Sequence, residues 1–134
     1  VASRSAFKSV RRSRTFYHAL REGLIDHVKA QFKLGKKRKD GTSELDHLQA
    51  IQKSTGKTPP ELEIPTVPVG CEYLMSVFMD LHTTRPAGGF GSSAIPISEI
   101  NAWQRAMNLR LTPWEVETIL HLDRAALYEM MDTK

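Results

Sequence analysis

The chain predicts an all-α fold: a small helical bundle of about three helices in a C-terminal body, with a basic N-terminal helix or arm and a Pro-rich linker ahead of it. Three observations predict this. Apolar residues recur at three- and four-residue steps in several segments, no segment alternates with the two-residue period of a strand, and capping or breaking residues stand at the segment ends. With 134 residues, 40% of them hydrophobic, there is room for one modest core.

The elements follow in order. The first dozen residues, rich in serine and arginine, are expected to be flexible. From about Thr15 to Phe32 the residues Phe16, Ala19, Leu20, Leu24, Val28 and Phe32 keep a helical period, and Gly35 is expected to stop it. Lys39-Asp40-Gly41-Thr42 is a turn signal, after which Ser43 caps a short helix carrying Leu45, Leu48 and Ile51 and ending at Gly56. Residues 57–70 hold Pro59, Pro60, Pro65 and Pro68, which forbid a regular helix and favour extended chain, a linker or a strap lying across the body. The body begins near Gly70 with a helix bearing Tyr73, Leu74, Val77, Phe78 and Leu81, which ends at Thr83-Thr84-Arg85-Pro86. After the loop Gly88-Gly89-Phe90-Gly91, Ser98 is read as the cap of a helix with Ile100, Trp103 and Met107 on one face. Thr112-Pro113-Trp114-Glu115 is a capping box with proline at the first helical position, and the last helix runs to about Met130. The expected division is 1–39 as the basic arm with one helix, 40–69 as the short helix and strap, and 70–134 as the helical body.

Charge is divided along the chain. Residues 1–39 hold 12 Lys/Arg against Glu22 and Asp26, whereas residues 40–134 hold 7 basic and 13 acidic residues. A basic arm on an acidic body suits nucleic acid, an acidic partner or the body's own surface, and a solvated tail is the simplest alternative. No run approaches the roughly 20 apolar residues of a membrane span. The start Val1-Ala2-Ser3-Arg4 has no apolar signal region, and the lone Cys71 makes no internal disulfide, so a cytosolic protein is expected.

Catalytic constellations are not apparent, and the expected chain is not an enzyme and needs no cofactor or metal. His18, His27, His47, His82 and His121 stand singly, without ligand spacing to one another or to Cys71. Cys71 has no visible activating base. Glu115 and Glu117 are two apart on a helix and point to different faces. The glycine loop lacks the lysine of a phosphate-binding loop and more simply presents Phe90, into the core or to a partner. Residues 98–119 have helix–turn–helix spacing, but a recognition helix that opens with Glu115 and Glu117 would set carboxylates against DNA phosphates. Trp103 and Trp114 straddle the turn and are expected to meet, as a core lock or, if exposed, as interface anchors.

The order of motifs from Lys57 to Met130 resembles one family, the tail assembly chaperones of long-tailed bacteriophages and related prophages. The carrying residues are Pro59-Pro60-Glu61-Leu62, Tyr73-Leu74 with Phe78-Met79-Asp80-Leu81, Arg85 with the glycine loop, Ile97-Ser98-Glu99-Ile100 with Ala102-Trp103, and Leu111-Thr112-Pro113-Trp114-Glu115 with Ile119 and Leu122-Asp123. Including Lys39-Asp40-Gly41-Thr42 and Leu48, the resemblance covers roughly residues 39–130. It implies a non-enzymatic assembly factor acting in the host bacterial cytoplasm, with the tail tape-measure protein and the tail-tube protein as partners. Candidate partner-binding residues are Arg85, Phe90, Trp103, Trp114 and Met130. Two alternatives stand beside this reading: a small nucleic-acid-binding regulator using Arg11, Arg12, Arg14, Lys36, Lys37, Arg38 and Lys39, and a structural tail or neck component retained in the virion.

Overall fold

The N-terminal helix is longer than its hydrophobic period. The computed structural model describes the backbone of residues 4–85 and 93–131 and the side chains of residues 14–85 and 93–131. Helix α1 spans Arg4–Leu34, so the first dozen residues, expected to be flexible, are helical from Arg4 onward. Once the stretch after Thr15 is fixed by packing, extending the helix backward adds a hydrogen bond per residue without a new nucleus. Leu24 and Val28 on its inner face are fully buried, and Leu20, Ile25 and Phe32 pack against the same core.

Beyond Gly35 the chain makes a tight turn. Arg38 N–H donates to Thr42 O at 2.6 Å, Glu44 N–H donates to Lys36 O at 2.9 Å, and Gly41 takes the left-handed conformation that the turn needs (φ 86°). Helix α2, Glu44–Thr55, opens with a complete capping box between Ser43 and Asp46 and closes at Gly56 with φ 72°. A 3₁₀ turn at Pro60–Leu62 begins the proline segment, which lies along α1 as a strap. His27 Nδ1–H donates to Pro65 O at 2.7 Å, and Gly23 gives Pro68 its place, since a Cβ there would stand 2.7 Å from the proline ring.

Helix α3 (Glu72–Thr83), helix α4 (Ile97–Met107) and helix α5 (Pro113–Met131) complete the set of five α-helices, with no strand among the described residues. The all-α class is as the sequence predicts. Leu74, Phe78 and Leu81 of α3, Ile100 of α4 and Ile119, Leu122 and Ala126 of α5 close over Leu24 and Val28 in one core. The most extensive helix pair is α1 with α5. Burying each large aliphatic or aromatic side chain contributes about 1.5–3 kcal/mol, so α1 is held by the same core as the three body helices.

Two local expectations are corrected. The α4 cap is Pro96 in an extended conformation with no side-chain bond, and Ser98 is an exposed residue of the first turn. The reason lies outside the helix: Ile95 N–H is bound by the buried Asp123 carboxylate, which fixes where the chain leaves the core. Trp103 and Trp114 do not pair; Trp114 turns instead to α1, with its ring 5.1 Å from that of Tyr17.

Candidate functional site

The N-terminal capping box of α5 does more than start a helix. Thr112 N–H donates to Glu115 Oε1 at 2.8 Å, and Glu115 N–H returns a bond to Thr112 Oγ1 at 3.2 Å. The second oxygen of Glu115 accepts from the Tyr73 hydroxyl of α3, so a local cap also joins two helices. Burial pushes the Glu115 pKa up, but the bonds from Tyr73 and Thr112 together outweigh it and hold the carboxyl below its ordinary value. Tyr73 moves the other way: burial and then the neighbouring carboxylate raise its pKa well above that of a free phenol, keeping it a donor.

Next to this cap, Arg21 of α1 crosses to α5. Its Nε–H donates to the fully buried Thr118 hydroxyl at 3.0 Å, its guanidinium carbon lies 5.5 Å from the Trp114 ring centroid, and Glu117 is 3.4 Å away. Arg21 belongs to the basic segment by sequence, yet it is spent on the helix interface. The Trp114 ring is thereby fixed between Tyr17 and Arg21, with Phe16 edge-on to Tyr17 at 5.6 Å.

Phe16, Tyr17, Leu20 and Trp114 line an open groove of about 540 Å³ together with Val69, Gly70, Cys71 and Tyr73. The exposure is unusual for residues of this kind. Phe16 is 59% exposed, Tyr73 50%, Tyr17 47% and Val69 94%. Scattered exposed apolar residues are ordinary, but a contiguous groove whose aromatic rings all stand on packed helices is the kind of surface that anchors another chain. Trp114 is the part of this groove expected from sequence. Phe16 and Tyr73 were legible only as members of apolar patterns, Tyr17 and Val69 belonged to none, and no local signal set the four outside the core.

The remaining candidates fall elsewhere. Arg85 lies buried, with its side chain 6% exposed, in an ion pair with Asp123. It also donates to Ser93 O at 2.6 Å and to His82 Nδ1 at 2.9 Å, so its hydrogen-bonding capacity is used within the fold. Burial and then the Arg85 charge lower the pKa of His82, leaving its ring the acceptor of that bond. Trp103 is half-buried against the core, and its indole N–H has no acceptor among the described residues. Met130 packs on the core edge at the far end of α1 from Trp114. Phe90 and the glycine loop lie outside the described residues, as do the side chains of Arg11 and Arg12. Arg14 is exposed on α1; Lys36, Lys37, Arg38 and Lys39 follow its other end, about 30 Å away along the axis. Of the basic candidates whose side chains are described, Arg14 thus stands apart from Lys36–Lys39, and Arg38 is paired with Glu44 at 2.7 Å.

A family model described as phage tail assembly chaperone matches residues 51–128. The chain belongs to that family. The matched span runs from within α2 through the strap, α3 and α4 into α5, and it includes Val69, Tyr73, Trp114 and Glu115 of the groove. Phe16, Tyr17 and Leu20 precede it, so this tail assembly chaperone completes its groove with a helix from outside the matched span. No curated protein and no solved structure significantly matches the chain.

Among the described residues no group of three or more His, Cys, Asp or Glu is placed to hold a metal ion, and no helix is long and apolar enough to cross a membrane. The Cys71 thiol at the groove floor is buried, which raises its pKa, and Glu72 raises it further. A thiol so placed is a weak nucleophile.

Proposed function

We propose that this tail assembly chaperone acts without catalysis, in the host cytoplasm, by holding an amphipathic helical segment of the tape-measure protein, the tail-tube protein or both. One observation carries the reading: the exposed Phe16, Tyr17 and Tyr73 and the half-buried Trp114, all on packed helices, line one open groove with the exposed Val69 just ahead of α3. An amphipathic helix laid in such a groove buries its apolar stripe against rigid rings, which lose little side-chain entropy on binding. A long helical client whose stripe is exposed before assembly is protected from self-association while it is held. Arg14 stands about 30 Å along α1 from the Lys36–Lys39 group, and the start of α5 is covered by α1, both of which favour a protein client over nucleic acid.

Co-expression with the tape-measure and tail-tube proteins of the same genome tests this. The expected result is co-purification of at least one of them and failure of tail formation when the gene is deleted. If neither co-purifies and tails form normally without the gene, the proposal is wrong.

A further inference from the structure

At the C-terminal end of α1 a second surface has different chemistry. Phe32, Met79, His82 and Met130 line a depression of about 330 Å³. Its floor is fixed, since the Phe32 ring lies edge-on to His82 at 4.9 Å and to Phe78 at 6.2 Å. Its walls are adaptable, because Met79 and Met130 are half-buried and unbranched thioethers conform to the group they meet. Lys36 belongs both to this depression and to an adjoining one of about 490 Å³, where Lys33, Lys37 and Lys39 also lie. Two acids share that second depression. Glu44 is bound to Arg38, which leaves Glu129 facing the four lysines. The lysines after Gly35 are carried on the hydrogen-bonded turn that joins Lys36 to Glu44 and Arg38 to Thr42, so their backbone positions are set.

We propose that this surface docks an acidic protein segment bearing one long apolar side chain. The apolar side chain enters between Met79, Met130 and Phe32, and the flanking carboxylates meet Lys33, Lys36, Lys37 and Lys39. Charge complementarity selects the acidic segment, and the apolar depression beside the lysines selects protein over nucleic acid. A nucleic acid would use a free ring face for base stacking, whereas Phe32 is packed against Phe78 and His82. Gln31 lies 14 residues beyond Tyr17 on α1, about 21 Å along the axis, so this surface and the aromatic groove are separate. A partner at each would hold two chains on one chaperone and raise the effective concentration of one for the other.

The test is fluorescence anisotropy with the full chain and three labelled probes: an acidic peptide with one central leucine, the same peptide with serine in its place, and a single-stranded oligonucleotide of similar charge. The expected result is saturable binding of the leucine peptide, weakened by added salt and at least about tenfold weaker for the serine peptide. The double change Lys36→Glu/Lys37→Glu, at turn positions outside the core, is expected to weaken it by a similar factor with the circular dichroism spectrum unchanged. If that variant misfolds, Lys33→Glu/Lys39→Glu and the two peptides still decide the question. Equal affinity for the two peptides, indifference to charge reversal, or tighter binding of the oligonucleotide would each overturn the proposal. So would sedimentation showing that the surface instead pairs two copies of the chain.

Discussion

The Arg85–Asp123 pair allows a quantitative test of how the three body helices are tied. Asp123 is 2% exposed; one oxygen meets the Arg85 guanidinium and the other accepts Ile95 N–H at 2.8 Å. Asp123→Ala removes the anion and leaves the buried guanidinium uncompensated, which costs about 3–5 kcal/mol in comparable buried pairs. It also orphans Ile95 N–H, worth about 1–3 kcal/mol, though the two penalties share the same relaxation and do not simply add. A net loss of about 4–5 kcal/mol is expected, against a total stability on the order of 5–15 kcal/mol for a domain of this kind. The melting temperature should fall by roughly 15 °C. Urea unfolding followed by circular dichroism at the helical band measures it directly. The double change Arg85→Met/Asp123→Leu removes both charges together and should recover at least about 2 kcal/mol relative to Asp123→Ala. Unfolding of Asp123→Ala within about 1 kcal/mol of the parent, or a double variant no more stable than the single one, would contradict a buried pair at this place.

Three further outcomes follow from the geometry. Glu115 has its folded pKa below the ordinary 4.5, so its contribution is complete above that value and is lost as pH falls through the lowered one. Stability measured by urea at about pH 5 and about pH 3 should therefore drop more for the parent than for Glu115→Gln, which should cost about 1 kcal/mol at neutral pH. Gly23→Ala should destabilise by about 1 kcal/mol although alanine favours helix, because its methyl meets the Pro68 ring at 2.7 Å; a gain in thermal stability would place the strap elsewhere. Asn108 ends α4 with φ 52°, so Asn108→Gly should be nearly neutral while Asn108→Ala costs about 1 kcal/mol in the same assay.

Local signals in this chain were readable because each element carries its own start, stop or stripe. Leu24 and Val28 repeat at a helical step, Ser43 with Asp46 and Thr112 with Glu115 are caps complete within four residues, and Gly56 ends α2 as glycine does when a positive φ is needed. What could not be read depends on residues far apart in sequence. Asp123 looks like a solvent-facing position of α5 until Arg85 and Ile95 are brought to it. Arg21 counts as one more basic charge until Thr118 and Trp114 receive it. The apolar period of α1 marks Phe16 as a core candidate, yet the core ends before the helix does and leaves Phe16 and Tyr17 outside. The groove was therefore legible by one residue, Trp114, because exposure is decided by where neighbouring helices stop and not by the pattern along any one of them.

The aromatic groove is proposed as the client's seat, and Phe16 and Val69 offer the cleanest probe because both side chains are exposed and neither can form a hydrogen bond. Co-purification of the tape-measure and tail-tube proteins should be quantified against the parent chain and against Phe16→Ser/Val69→Ser. The expected result is a urea midpoint little changed for the variant, within about 1 kcal/mol, and at least about a tenfold loss of affinity for the captured client, a cost of about 1.4 kcal/mol. Undiminished capture by a variant of unchanged stability would contradict it.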